Sequence, residues 1–294
     1  MTDTGNSNTI TRSYMDSLLI ETRYIDSTNP TIDYELFGEH FSTPIMTAAL
    51  SHLDHFLFSG ASMALAKGAR DADAVLWYGM ADEDEIEALA GTGARMIEII
   101  KPYSDRGLID QKIRHAEKLG LLAVGIDIDH PFAEDGSPDD VDGYTMTALQ
   151  TRELAEICAS TNLPVIAKGV LSLWDADRCL ISGASGIVLS HHNNRIEFAV
   201  PPMAVLPEIL ELVNGAVPVF VEDEIRSGMD AFKALALGAK GVCIGRPLMS
   251  AIKQDPENGV REFFEDATAQ LKKAMAYTGC TDLGKMDPGV IRRI

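Results

Sequence analysis

Two short stretches of the sequence combine residue types that transfer protons and bind anions. Lys168 follows the apolar residues PVIA, and Ser190–Arg195 (SHHNNR) brings two histidines and an arginine close together. A lysine at the end of an apolar run can form a Schiff base or stabilise negative charge on a bound ring or oxyanion. Histidine is the usual general base near neutral pH, and arginine binds a carboxylate through two parallel hydrogen bonds. The stretches predict acid–base chemistry on an anion, with a salt-bridged lysine and structural histidines as the alternative.

The two adjacent histidines also permit a different interpretation, a metal site. His191 and His192 would supply two ligands, and Asp127, Asp129 or His130 would supply the third. Neighbouring residues on an extended segment point in opposite directions, which disfavours two ligands from one such pair. We therefore predict no metal.

Two arginines further along the chain stand where a phosphate can bind. Arg226 precedes a predicted helix that opens at Gly228, and Gly245-Arg246 follows an apolar run. Free backbone N–H groups and the helix dipole favour an anion at a helix N-terminus. This pair of segments predicts a phosphate site.

Eight short apolar runs predict the strands that position these residues. Each run is continuously apolar rather than alternating, which is typical of parallel strands covered by helices on both faces. The predicted strands are Pro44–Ala48, Ala74–Tyr78, Met96–Ile100, Ala123–Ile128, Pro164–Ala167, Gly186–Leu189, Pro218–Val221 and Gly241–Ile244. Amphipathic stretches predict helices at Asp84–Ala90, Leu108–Leu119, Ala148–Ser160, Leu173–Ser182, Leu206–Asn214 and Gly228–Leu237.

This alternation favours an α/β fold, a single (β/α)8 TIM barrel. A doubly wound open sheet is the alternative, but no G-x-G-x-x-G follows the first strand. We take 1–294 as one domain, with an N-terminal extension over 1–40, the barrel core over 41–250 and a C-terminal helical segment over 251–294. In such a barrel the chemistry lies on the loops that follow the strands. We therefore expect Lys168, His192, Arg195 and Arg246 to converge on one pocket.

The composition limits the classes of partner. The chain has 25 Lys and Arg residues against 44 Asp and Glu residues, a formal net charge of −19. A protein this acidic repels nucleic acids and anionic membrane surfaces, so neither partner is expected. No apolar run approaches the ~20 residues of a membrane helix, and the N-terminus lacks a signal pattern, so we expect a cytoplasmic protein. The four widely spaced cysteines are expected to be reduced thiols.

Four segments carry a more specific pattern, namely PVIAKGVL, GIVLSHHNNR, VPVFVEDEIRSGMDAFKALALGAKGVCIGRPL and AMAYTGCTDL. With this pattern, from about Leu163 to the C-terminus, the sequence resembles the FMN-dependent α-hydroxy acid oxidase and dehydrogenase family. The segments STPIMTAAL and VGIDIDHP fall where the family's first and fourth strands lie. The resemblance implies a (β/α)8 barrel that binds FMN and forms homo-oligomers.

The resemblance also implies roles for individual residues. Lys168 would lie at the flavin N1–O2 locus, His192 would remove a proton from the substrate, and Arg195 would bind the substrate carboxylate. The implied cofactor contacts are Ala49, Leu50, Ser51, Gly79, Glu98, Asp127, Lys168, Ser190, Glu222, Asp223, Glu224, Arg226, Gly245 and Arg246. Lys101 and Tyr103, at the end of the third strand, are candidates for further substrate contacts.

The sequence departs from the family pattern in the loops of the site. Asn193 and Asn194 replace two glycines, and Glu222, Asp223 and Glu224 replace Asp-Gly-Gly in the phosphate loop. The acidic triplet adds side chains and negative charge where the backbone would approach a phosphate closely. The N-terminal segment with its active-site tyrosine is shortened, and residues 131–142 lack the family's second substrate arginine.

The expected activity is FMN-dependent oxidation of a small 2-hydroxy acid to the 2-oxo acid, with a histidine base and an arginine that binds the carboxylate. One alternative is another activity of FMN barrels, such as that of type 2 isopentenyl-diphosphate isomerase. A second alternative is a flavin-free barrel that acts as a non-catalytic binding or assembly subunit.

Overall fold

The computed structural model describes residues 4–294 of the chain. Its strands are β1 (Leu18–Ile20), β2 (Tyr34–Leu36), β3 (Glu39–Phe41), β4 (Ile45–Thr47), β5 (Leu76–Gly79), β6 (Met96–Ile100), β7 (Ala123–Asp127), β8 (Asp140–Val141), β9 (Tyr144–Thr145), β10 (Val165–Val170), β11 (Gly186–Leu189), β12 (Val219–Val221), β13 (Gly241–Ile244) and β14 (Ile291–Arg293). Its α-helices are α1 (Ser7–Ser17), α2 (Leu53–Phe56), α3 (Ala61–Asp71), α4 (Glu83–Ala90), α5 (Arg106–Leu119), α6 (Thr151–Ala159), α7 (Leu173–Ile181), α8 (Pro202–Val213), α9 (Gly228–Ala236), α10 (Arg246–Gln254) and α11 (Gly259–Thr278).

Within residues 4–294, eight strands form one parallel sheet in the order β4-β13-β12-β11-β10-β7-β6-β5. The first and last strands of this order meet and close the sheet. The Thr47 N–H donates to the Val75 carbonyl at 3.2 Å, and Leu50 forms a parallel bridge with Tyr78. The predicted TIM barrel is therefore confirmed, and each predicted strand is present with its ends shifted by at most three residues.

Large apolar side chains fill the interior of the barrel. Met46, Trp77, Ile166 and Phe220 are buried there in one cluster, and the rings of Trp77 and Phe220 lie edge to face with centroids 5.5 Å apart. A barrel filled in this way is a packed core rather than a channel, so ligands must bind at its ends.

Several elements outside the barrel strands were not predicted. Helix α1 lies over the loops that follow β11 and β12, the β2–β3 hairpin precedes the barrel, and α3 forms the first crossover. The antiparallel pair β1–β14 ties the N-terminal segment to the C-terminal one. No helix among residues 4–294 is long and apolar enough to cross a membrane.

Candidate active site

A cavity of about 570 Å³ lies at the C-terminal ends of the barrel strands. It receives residues from strand β10 and from the segments that follow β4, β11, β12 and β13. The predicted site residues that line it are Ala49, Leu50, Ser51, Lys168, His192, Glu222, Asp223, Glu224, Arg226, Gly245 and Arg246. The expected convergence of Lys168, His192 and Arg246 on one pocket is therefore observed.

Lys168 provides a buried positive charge at the floor of this cavity. It lies on β10, and its Nζ is 3.2 Å from Asp127 Oδ1 and 3.2 Å from Glu222 Oε2. Burial alone would lower the pKa of Lys168, but the carboxylates of Asp127 and Glu222 outweigh it and raise the pKa well above its usual value. A permanently protonated amine cannot attack a carbonyl, so the geometry favours charge stabilisation over Schiff-base chemistry.

Asp127 lies beneath the cavity and forms an ion pair with a second lysine, Lys101. Lys101 Nζ donates to Asp127 Oδ2 at 2.6 Å, and the side chains of both residues are buried. Burial alone would raise the pKa of Asp127, but Lys168, His192 and Lys101 hold it well below its usual value. Lys101 is thus paired below the main cavity, and Tyr103 lines a different cavity of about 400 Å³. Neither of these predicted substrate contacts lines the main cavity.

His192 faces the cavity with a carboxylate behind it. Its Nδ1 lies 3.0 Å from Asp129 Oδ1 and 3.4 Å from Asp127 Oδ1, which leaves Nε2 to exchange protons with a ligand. Gly169 makes this arrangement possible, because a Cβ there would lie 2.2 Å from Asp129 Cγ. Burial alone would lower the pKa of His192, but the carboxylates of Asp127 and Asp129 outweigh it and raise the pKa to about 9.

Arg195 does not join the other predicted residues. Its guanidinium contacts the Asp139 carboxylate and donates to the Phe132 carbonyl. It lines a neighbouring cavity of about 460 Å³ together with Ser190. The expectation that Arg195 lines the same cavity as Lys168 is therefore wrong for this structure, in which the arginine pairs with a carboxylate 56 positions away in sequence and lines the adjoining cavity.

The loop that follows β11 is tied to helix α1. His191 Nε2 lies 2.9 Å from Thr11 Oγ1, and the Ser7 N–H donates to Asn194 Oδ1 at 2.6 Å. Asn8 Nδ2 donates to Asn193 Oδ1 at 2.9 Å. His191 is thus a buried structural histidine. The asparagines that replace the family's glycines hold the N-terminal helix on the rim of the barrel.

The residues that replace glycines keep left-handed backbone conformations. The φ angles are 56° at Asn193, 70° at Asn194, 66° at Asp223 and 57° at Glu224. Asparagine and aspartate tolerate this region because their short side chains form local hydrogen bonds, whereas a glutamate is strained there by ~1–2 kcal/mol. The Asp223 carboxylate instead accepts from the backbone N–H groups of His191 and Asn193 in the loop after β11, which ties the two loops together.

Glu224 occupies the centre of the predicted phosphate site. Its buried carboxylate lies 2.5 Å from Arg226 Nη2 and contacts the Arg246 guanidinium. Arg12 of α1 donates to the Glu224 carbonyl oxygen at 2.9 Å. Both arginines of the predicted phosphate site therefore form ion pairs with a carboxylate of the same chain.

Two of the predicted cofactor contacts, Gly79 and Glu98, lie outside the cavity. Gly79 ends β5, and Glu98 is buried on β6 with its carboxylate 3.8 Å from Lys112 Nζ; neither residue lines the cavity. Burial raises the pKa of Glu98 to about 7.

Three side chains of the site could together offer ligands to a metal ion. One oxygen or nitrogen from each of Asp127, Asp129 and His192 lies within 4.8 Å of the others. Two lysine ammonium groups already neutralise Asp127, which disfavours a cation there.

Sequence reasoning missed three partners of the site residues. The sequence pattern suggests Asp129 only as a metal ligand, although its position two residues after Asp127 places both side chains at the same strand end. The contacts of Arg12 and Asp139 depend on loops that the sequence pattern does not place, so no local signal identified them.

The chain matches known proteins over nearly its full length. The family model described as FMN-dependent dehydrogenase matches residues 2–147 and 133–293. Glycolate oxidase 2 of Oryza sativa subsp. indica is 30% identical over 293 residues, covering 86% of this chain and 78% of that protein. The 4-hydroxymandelate oxidase of Amycolatopsis orientalis is also 30% identical, covering 88% of this chain and 82% of that protein. The solved structure of a mandelate oxidase variant with the C4a-OH-FMN adduct has a TM-score of 0.86 at 28% identity, covering 99% of this chain and 92% of that chain. The chain therefore belongs to the FMN-dependent dehydrogenase family, as the resemblance implied.

Proposed function

We propose that the protein oxidises a small 2-hydroxy acid to the corresponding 2-oxo acid with bound FMN. The observation that carries this proposal is His192, which faces the cavity with Asp129 behind it and the buried Lys168 ammonium beside it. Relatives named glycolate oxidase and 4-hydroxymandelate oxidase support the same class of substrate.

The cavity fits the ring end of FMN better than the phosphate end. Its volume of about 570 Å³ lies in the range of small-molecule sites. Gly245 lines the cavity and packs closely on Ala48, since a Cβ at Gly245 would lie 3.3 Å from Ala48 Cβ. Lys168 supplies a cation at the floor, whereas Arg226 and Arg246 at the other end face the Glu224 carboxylate. The residues are therefore those of a flavin site in which a carboxylate of the chain offsets part of the positive charge at the anion-binding end.

The residues of the chain divide the reaction between them. Oxidation of a 2-hydroxy acid removes two electrons and two protons, and bound FMN supplies the electron acceptor. His192 Nε2 takes a proton from the substrate, and Asp129 orients the imidazole and stabilises its charged form. Lys168 stabilises the negative charge that develops at the ring end of the cavity.

Arg195 is the proposed carboxylate ligand of the substrate. In the structure its guanidinium is paired with Asp139, so a substrate carboxylate competes with that side chain. The second ring near the base is His130, whose centroid lies 4.9 Å from that of His192. Burial lowers the pKa of His130 to about 4, so it is neutral at physiological pH and adds no charge to the site.

The proposed reaction is tested by product analysis with a panel of substrates. The protein supplied with FMN is expected to convert at least one of glycolate, lactate and mandelate to its 2-oxo acid, detected as the hydrazone. The matching 2-hydroxy amides serve as controls, and they should react far more slowly because they lack the carboxylate. Absence of a 2-oxo product from every acid contradicts the proposal.

The raised pKa of His192 predicts a pH profile. A base must be neutral to accept a proton, and a group with a pKa of about 9 is neutral in roughly one molecule in 100 at pH 7. We expect kcat/KM to rise about tenfold per pH unit from pH 6 and to level off near pH 9. In Asp129→Asn the plateau should begin at lower pH, because the variant loses one of the carboxylates that favour the imidazolium. A profile that is flat from pH 6 to 9 contradicts this assignment.

We also propose that the protein works in the cytoplasm as a homo-oligomer. Cys158, Cys179, Cys243 and Cys280 are free thiols, which suits a reducing compartment. The resemblance to the family supports the oligomer, and light scattering on the purified protein tests it against the 31.9 kDa mass of one chain.

A further inference from the structure

The anion-binding end of the cavity holds a carboxylate from the chain between two arginines. The side chain of Glu224 has no exposed surface, whereas those of Arg226 and Arg246 are 55% and 53% exposed. The glutamate is therefore enclosed, and both guanidinium groups contact its carboxylate.

The backbone around Glu224 is held in place from outside the cavity. Arg12 Nη1 donates to its carbonyl oxygen at 2.9 Å and also lies 3.0 Å from Asp230 Oδ2. The Arg226 N–H donates to the same Asp230 oxygen at 3.0 Å. The carboxylate thus projects from a peptide segment that α1 and α9 fix, in spite of the left-handed φ of 57°.

Carboxylate and phosphate compete for the same donors. A guanidinium group binds either of them. Glu224 accepts a hydrogen bond from Arg246 through Oε1 and forms an ion pair with Arg226 through Oε2, so it offsets part of the positive charge that would attract a phosphate. Two arginines and one carboxylate leave a net charge of about +1, against a phosphate of about −2 at neutral pH. A phosphate must therefore either displace Glu224 or remain poorly paired.

We propose that Glu224 is a built-in substitute for the cofactor phosphate, so that the cavity binds phosphate-free flavin about as well as FMN. This inference rests on the proposed function, which places a flavin in the cavity. The ring and the ribityl chain then provide most of the affinity, and the phosphate adds little. Riboflavin has the ring and the ribityl chain of FMN but no phosphate, so its affinity relative to that of FMN tests the inference.

The test compares the dissociation constants of FMN and riboflavin, measured by quenching of flavin fluorescence. The proteins are the wild type, Glu224→Gln, Glu224→Gly and the control Glu197→Gln, which removes an exposed charge from the loop after β11. For the wild type we expect the two constants to agree within about fivefold. In both Glu224 variants FMN should bind about 10- to 100-fold more tightly, the usual value of hydrogen bonds to a charged group, while riboflavin binding is unchanged.

The outcome is decided by the dissociation constant of riboflavin divided by that of FMN. A rise of at least tenfold in Glu224→Gln relative to the wild type and the control supports the inference, and a smaller rise overturns it. The glutamine keeps the size of the side chain, and circular dichroism checks the fold of each variant. Strong FMN binding with weak riboflavin binding in the wild type overturns this inference alone. Failure of all four proteins to bind either flavin overturns the proposed function as well.

Discussion

Replacement of His192 by glutamine is expected to lower kcat/KM for any accepted 2-hydroxy acid by about 10²- to 10⁴-fold, the usual contribution of a general base. Flavin binding should persist, because glutamine fills similar space and Lys168 remains in place. The large effect follows from the position of the imidazole, whose Nδ1 is held by Asp129 while the ring faces the cavity. Steady-state kinetics on flavin-loaded protein measure the loss, and flavin absorbance confirms the loading.

His55→Gln is the matched control, since His55 is exposed and lies on the short helix α2 outside the cavity lining. It should leave kcat/KM within about twofold of the wild type, as expected of a surface substitution. A loss of less than about tenfold in His192→Gln would contradict the assignment. The neighbouring His130 would then be the next candidate for the base.

The second large effect concerns stability. Asp127→Asn is expected to lower the free energy of unfolding by about 3–5 kcal/mol, the usual cost of removing one partner from a buried ion pair. The Lys101 and Lys168 ammonium groups lie 2.6 and 3.2 Å from Asp127, and both lysines are buried. Without the carboxylate, Lys101 loses its ion-pair partner and Lys168 keeps only Glu222. Urea denaturation of the flavin-free protein measures the change.

Asp110→Asn provides the comparison for this variant. Asp110 pairs with Arg106 one helical turn away, and both side chains are about one third exposed. Such a surface pair contributes only about 0.3–0.5 kcal/mol, so its loss should be barely measurable. A loss of less than about 1 kcal/mol in Asp127→Asn would mean that the two lysines find other partners or lose their protons.

The barrel was predictable because its strands are buried on both faces. Runs such as Met96–Ile100 and Gly186–Leu189 are apolar throughout, and the structure contains both with the predicted ends. Strand ends then placed Lys168, His192 and Arg246 at one end of the barrel without any knowledge of side-chain contacts. The local pattern was sufficient here because the register of a closed parallel sheet brings all its carboxyl ends together.

The contacts between distant segments were not predictable in the same way. Helix α1 docks on the loop after β11 through Thr11 and His191, which are 180 positions apart. Arg195 turns toward Asp139 on a loop whose path depends on tertiary packing. The sequence showed that Glu224 replaces a glycine and adds negative charge near the predicted phosphate site. It did not show that the side chain lies buried between two arginines.

The central claim is that this cavity binds a flavin that takes electrons from a 2-hydroxy acid. Its most direct test is an anaerobic titration of the flavin-loaded protein with glycolate, lactate and mandelate, followed by visible absorbance. The account predicts that at least one of these acids bleaches the flavin band, and that His192→Gln slows the bleaching by about 10²-fold or more. A wild-type protein that holds flavin and keeps its absorbance with all three acids would contradict the account.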